Sequence, residues 1–207
     1  MKTLILVDIQ NDFMPGGALP VPRGDTIVEV VNGLQPGFGL AVATQDWHPP
    51  GHASFASQHP GRAAFESVEL DGLPQTLWPD HCVQGEWGAK FHPDLDTRAV
   101  QAIFRKGVDP RVDSYSCFYD NARRRSTGLA GYLREKGATE LYFCGLAAEI
   151  CVFYSLRDAL DFGYPCVLIM DGVMPLDERE YEKARDELHT AGARLMRARD
   201  VFCEIPG

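Results

Sequence analysis

Three residues of this 207-residue chain could together break an amide bond: Cys151, Asp8 and Lys106. A thiolate attacks a carbonyl carbon, a carboxylate takes the thiol proton and later returns one to a leaving amine, and an ammonium balances both anions. Asp8 follows directly on the apolar run Thr3-Leu4-Ile5-Leu6-Val7, and Lys106 comes two residues after Phe104, at the end of another. Cys151 lies past the turn Leu146-Ala147-Ala148, in the first turn of an expected helix. There a helix dipole lowers a thiol pKa, and free backbone N–H groups can hold an oxyanion. Each residue alone has a plainer use. A free cysteine is most often a small buried hydrophobe, as Cys144 and Cys166 read; Asp8 suits a turn cap, and Lys106 a solvated surface. The alternation of Val100, Ala102, Phe104 and Lys106, however, sets the lysine on one face of its strand, beside the other two.

Asp46 and His48 form a D-x-H pair just beyond a further apolar run, a spacing that points both side chains the same way. With a third histidine and open water positions, such a pair describes a catalytic divalent-metal site. His81, in Trp78-Pro79-Asp80-His81-Cys82, is the best third ligand because proline stiffens its loop, and His52 is a candidate fourth. His59, His92 and His189 read as ordinary surface or loop histidines. Two imidazoles and a carboxylate suit zinc, iron and manganese alike. Phe13, Trp78 and Tyr115 fall in irregular segments near these groups. Core packing is the default for such aromatics; a flat substrate ring would use them as a slot.

These groups need a frame, and short apolar runs alternating with longer amphipathic ones provide it, in the pattern of βαβ units around a parallel sheet. Strands are expected over 3–7, 40–44, 100–104, 140–144 and 166–170, with a last one near 194–196, all apolar on both faces as buried parallel strands are. Helices are expected over 25–34, 126–135, 149–162 and 178–191. The last opens at Asp177 with Glu180 three residues on, a capping-box variant, and stops at Gly192. Ligands of such sheets bind beyond the carboxyl ends of the strands, where Asp8, Asp46, Lys106 and Cys151 would converge from four of them. Residues 47–92 and 107–121 show neither period, and irregular segments of that length are usually functional.

Hydrophobic residues make up 45% and charged ones 24%, an ordinary soluble balance, and the length suits one domain over residues 1–207. A net charge of −9 without any Lys/Arg stripe argues against nucleic acid; Arg123-Arg124-Arg125 reads as a solvated face. The apolar run before Asp8 is too brief for a signal-peptide core, and no stretch approaches the ~18 apolar residues that span a bilayer. The six cysteines show no C-x-x-C spacing, which suits reduced thiols in the cytoplasm.

The series MKTLILVDIQNDF, GGALPV, TQDWHP, DGLPQTLWPDHCVQ, FRKG, DSYSCF and GLAAEICV, in this order, resembles the bacterial nicotinamidases of the isochorismatase-like hydrolase superfamily. The resemblance runs from residue 3 to about residue 175. It implies a Rossmann-like, three-layer α/β/α sandwich with a parallel sheet of about six strands. It implies a catalytic triad of Asp8, Lys106 and Cys151, and one divalent metal ion held by Asp46, His48 and His81. A cis peptide before Ala147 would turn the N–H groups of Ala147 and Cys151 into an oxyanion hole. Phe13, Leu19, Trp78 and Tyr115 fall where the family holds the pyridine ring. The implied activity is hydrolysis of nicotinamide in cytoplasmic pyridine-nucleotide salvage, with neither nucleic acid nor membrane as partner and homo-oligomerisation left open. One departure stands out: Ala148-Glu149 replaces the usual Thr-Asp pair. Two alternatives remain, an amidohydrolase of the same superfamily acting on a carbamoyl or ureido compound, and a non-catalytic ligand-binding module.

Overall fold

A computed structural model describes residues 1–205; Pro206 and Gly207, the end of the expected domain, lie outside the described residues. Six parallel strands form the main sheet: β1 (Lys2–Val7), β2 (Leu40–Asp46), β5 (Val100–Lys106), β6 (Glu140–Gly145), β7 (Cys166–Val173) and β8 (Arg194–Met196). Their order across the sheet is β5-β2-β1-β6-β7-β8. The chain therefore winds outward from β1 in one direction, returns, and winds outward from β6 in the other. The crevice at such a reversal, beyond the carboxyl ends of β1 and β6, is the preferred ligand site of an open parallel sheet.

Strand alternation builds the two outer layers. Leu4 and Leu6 face one side of β1 and pack with helices α1 (Ile27–Leu34) and α5 (Ala198–Glu204). Ile5 and Val7 face the other and pack with α2 (Leu129–Glu135), α3 (Phe153–Asp161) and α4 (Glu178–Thr190). The result is the expected three-layer α/β/α sandwich. Each fully buried Leu, Ile or Phe contributes roughly 1.5–3 kcal/mol. That apolar gain offsets the expense of burying Asp8, Asp46 and Lys106 at the rim, all of them inaccessible to solvent or nearly so.

Four expectations need correcting. β5 is an edge strand and is not apolar on both faces; Gln101, Ile103 and Arg105 point to solvent. The run 40–44 continues through Asp46, so this residue belongs to the strand instead of lying beyond it. The irregular stretch 47–92 contains a hairpin, β3 (Ser67–Leu70) with β4 (Leu73–Thr76). At the start of α4, Asp177 caps Arg179 N and Glu180 N at 2.9 and 3.1 Å, but its own N–H donates to Glu149 and not to Glu180, so the reciprocal half of a capping box is missing.

Candidate active site

Lys106 Nζ is the centre of the rim. It lies 2.8 Å from Asp8 Oδ2 and 3.0 Å from Asp46 Oδ1, and donates to Cys151 Sγ at 3.4 Å and to the Ser114 carbonyl oxygen at 2.9 Å. β5 delivers the lysine as its last residue, in direct register with Asp46 on β2. Asp8, the first residue past β1, takes φ +49°, a left-handed conformation uncommon outside glycine. Thr44 fixes it there, its Oγ1 donating to Asp8 Oδ1 at 2.6 Å and accepting from the Asp8 N–H at 3.2 Å. Asp8 Oδ2 receives no well-directed hydrogen bond, so a lone pair remains for a proton. Asp8, Asp46 and Cys151 offer ligand atoms within 4.8 Å of one another, but the ammonium already supplies the cation that this group needs.

The electrostatics follow from burial. Burial alone would lower the Lys106 pKa, yet Asp46, Asp8 and Cys151 together hold it well above the ordinary lysine value. Burial raises the Asp8 carboxyl; Lys106 opposes this and the charge of Asp46 adds to it. Asp8 is thus a stronger base than a solvated carboxylate. The Cys151 thiol is pushed well above the ordinary cysteine value, mainly by burial, with Lys106 opposing and Asp8 and Asp46 adding. This reverses the lowering expected from a helix start. Cys151 sits in a wide π-helical turn, Ala148–Val152, ahead of α3, and desolvation with two carboxylates nearby raises the thiol there. At rest the proton stays on sulfur.

The turn that carries Cys151 packs tightly against β1. A Cβ on Gly145 would meet the Val7 carbonyl oxygen at 2.0 Å, so only glycine fits. The Leu146–Ala147 peptide is cis, as the resemblance implies, and the Ala147 N–H donates to none of the described residues.

Beside this centre, Asp46 Oδ2 lies 3.3 Å from His48 Nε2 and 3.5 Å from His81 Nε2. Backbone oxygens hold the far side of both rings: His48 Nδ1 lies 3.0 Å from the Gly107 carbonyl oxygen and His81 Nδ1 2.7 Å from that of Pro79. Each Nε2 therefore keeps its lone pair for the centre, the usual orientation of metal-binding histidines. His48 Nε2 is buried without a partner, and the donor set suits a divalent ion. Burial disfavours a proton on His48, but Asp46 outweighs it and raises the pKa, so proton and metal compete for this atom. His52 Nδ1 lies 2.8 Å from Ser54 Oγ and 3.2 Å from the Ser54 nitrogen, its Nε2 is buried without a hydrogen-bond partner, and with His48 and Asp113 it forms a second group whose ligand atoms lie within 4.8 Å of one another.

Gly107, next to the lysine, makes room for the His48 ring. It stands at φ +65°, and a Cβ would meet His48 Cε1 at 2.4 Å and Nδ1 at 2.6 Å. Gly107→Ala should therefore displace His48 and remove most bound metal, read by elemental analysis after dialysis. A full metal complement in that variant would show that the ring yields.

A cleft of about 380 Å³, counting its open mouth, leads to Cys151. Phe13, Leu19, Trp78 and Tyr115 all line it, with Asp46, His81 and Ala147. Ile150, Leu176 and Asp113 also line it, although none of the three is singled out by its residue type or spacing. Asp113 Oδ1 lies 4.0 Å from His48 Nε2. Gln75 Nε2, from β4, donates to Asp113 Oδ2 at 3.1 Å and to the Tyr115 hydroxyl at 3.0 Å, pinning that wall. Only the folded chain brings these three together, because 38 residues separate Gln75 from Asp113.

Known proteins resemble this chain over nearly its whole length. The nicotinamidase of Escherichia coli (strain K12) is 48% identical over 200 residues, 94% of this chain and 93% of that protein. The solved structure of PnC1 from L. infantum, in complex with nicotinate, superposes with a TM-score of 0.84 at 38% identity, covering 96% of this chain and 93% of that one. The pyrazinamidase of Pyrococcus horikoshii, solved in complex with zinc, gives 0.78 at 38% identity, covering 95% and 98%. The isochorismatase domain model matches residues 2–200, and with the reversing parallel sheet and the rim it carries, the chain belongs to the isochorismatase family.

Proposed function

We propose that this chain is a nicotinamidase, a hydrolase that converts nicotinamide and water to nicotinate and ammonia within one isochorismatase-like domain. The contact of Lys106 with Asp8 and Cys151, buried at the foot of an aromatic cleft, carries the reading. Nicotinamide enters between Phe13, Leu19, Trp78 and Tyr115. Asp8 Oδ2 accepts the Cys151 proton while Lys106 stabilises the thiolate, which attacks the carboxamide carbon. The N–H groups of Ala147 and Cys151 receive the developing oxyanion. Asp8 returns the proton to departing ammonia, leaving a thioester at Cys151. Asp8 then takes a proton from water, which attacks the thioester, and nicotinate leaves as the thiol is restored.

Asp46, His48 and His81 would hold one divalent ion, zinc, iron or manganese, which when bound supplies a ligand position for the ring nitrogen and so orients the ring. The zinc complex of the P. horikoshii relative supports this. A carbamoyl or ureido substrate is not favoured: the E. coli relative acts on nicotinamide by its name, and a ring nitrogen gives the buried metal trio a partner. A non-catalytic binder would have no use for a nucleophile beside a base. None of the described helices is long and apolar enough to cross a membrane, and the cysteines are free. We place the reaction in the cytoplasm.

The test is ammonia release from nicotinamide by the metal-loaded protein, with benzamide as comparator. Benzamide fills the same slot but lacks the ring nitrogen, so its carbonyl is less well aimed at Cys151. We expect its kcat/KM to be about a hundredfold lower, since a site built around a polar partner discriminates strongly against its loss and water softens the effect here. The preference should shrink once metal is stripped. Equal values for both amides in the loaded protein would end the orienting role; no ammonia from nicotinamide would end the reading itself.

A further inference from the structure

Glu149 is a half-buried carboxylate that the mechanism does not use, and among the described residues it has no cation within salt-bridge distance. Backbone amides hold it instead. Its Oε1 accepts the Leu176 N–H at 2.9 Å and the Asp177 N–H at 2.7 Å, and Oε2 lies 3.2 Å from the Leu176 nitrogen. Pro175, the residue before, has no N–H to offer, so Leu176 and Asp177 are the donors that follow it on the crossing from β7 to α4. A second link runs parallel, from the Ala148 N–H to the Met174 carbonyl oxygen at 3.0 Å.

The two segments so joined are both walls of the cleft. Ala147, Ile150 and Cys151 come from the turn after β6, and Leu176 from the crossing after β7. Glu149 itself does not line the cleft. Its side chain spans from the turn to the crossing, so its length sets how far Leu176 stands from Ile150. From this geometry we infer that Glu149 is a positioning residue that fixes the width of the ring slot and thereby the enzyme's choice among substituted pyridine carboxamides. The inference rests on the nicotinamidase reading above.

Removing the carboxylate frees Leu176 without touching the nucleophile, its base or the metal ligands. In Glu149→Ala, KM for nicotinamide should rise about tenfold while kcat stays within about threefold, the mark of binding lost equally from ground and transition states. A tenfold change corresponds to one charge-assisted hydrogen bond of ordinary worth. Among ring-methylated nicotinamides, kcat/KM relative to nicotinamide should rise about tenfold for at least one isomer, because the slot can now open. Glu149→Gln keeps an Oε1 able to accept both amides and should restore wild-type KM and ranking. Hydrogen exchange of the Leu176 and Asp177 amides gives a readout independent of turnover: at least about tenfold faster in Glu149→Ala, near wild type in Glu149→Gln. A purely structural role would lower the active fraction and kcat, leaving KM and the ranking of isomers unmoved, and that outcome overturns the inference. Unchanged exchange of both amides in Glu149→Ala overturns it as well. A wild-type protein inert towards nicotinamide would defeat the nicotinamidase reading, and with it the claim on substrate choice, while the exchange data would still decide whether Glu149 holds the crossing.

Discussion

Cys151→Ala is expected to lower ammonia release from nicotinamide by at least about 10⁴-fold, because no other group near the carboxamide can form the thioester. The substitution removes one sulfur from a buried site and leaves Asp8, Lys106 and the metal trio in place, so metal content and the folded state should persist. Adding Asp8→Asn to it should reduce the residual rate little further, although Asp8→Asn alone is severe, since groups that act as a unit do not add. Ammonia assayed from single and double variants at equal metal loading decides the matter. Turnover of Cys151→Ala at a substantial fraction of the wild-type rate would remove the sulfur from the mechanism.

Most of this site could be anticipated because its members end strands. Apolar runs of five residues end at Asp8 or lead to Asp46 and Lys106, and a parallel sheet must deliver the ends of its strands to a common rim. The aromatic wall was legible in part, through Phe13, Trp78 and Tyr115, but Asp113 and Gln75 were not, because their use arises from a contact between a hairpin and a distant loop. That hairpin did carry a signal. Asp71-Gly72 is a favoured two-residue turn, and both residues stand at positive φ. Short, largely exposed strands and Pro74 hid it from a search for buried runs. Helix α5 escaped for a similar reason: Ala198 and Val201 are its only buried residues, too few to show a period. The rise of the thiol pKa was not anticipated because a helix start is visible in sequence, whereas the depth of burial that drives the rise is not.

Lys106→Met should be nearly as damaging as loss of the nucleophile, and its effect should depend on pH in a way that no solvated lysine could produce. Methionine fills similar space without charge, so kcat should fall by about 10³–10⁴-fold as the thiolate loses its counter-ion. Asp8 and Asp46 would then face each other in a dry site without the cation that each contacts within 3.0 Å. Breaking a buried ion pair by removing one partner costs on the order of 3 kcal/mol or more, or roughly 6–12 °C in Tm for a chain of this size. Asp8 can relieve that by keeping its proton. Its carboxyl is raised by burial even with Lys106 present, and losing the lysine removes the main force opposing that rise. In the unfolded chain an aspartate titrates near ~3.9. Above that value the folded variant therefore binds more protons than the unfolded chain, so its stability falls as pH rises towards the raised value. The Tm gap between wild type and Lys106→Met, both metal-free, should accordingly widen from pH 5 to pH 8. A gap constant with pH, or a kcat within tenfold of wild type, would mean that Lys106 does not hold the charge balance of this site.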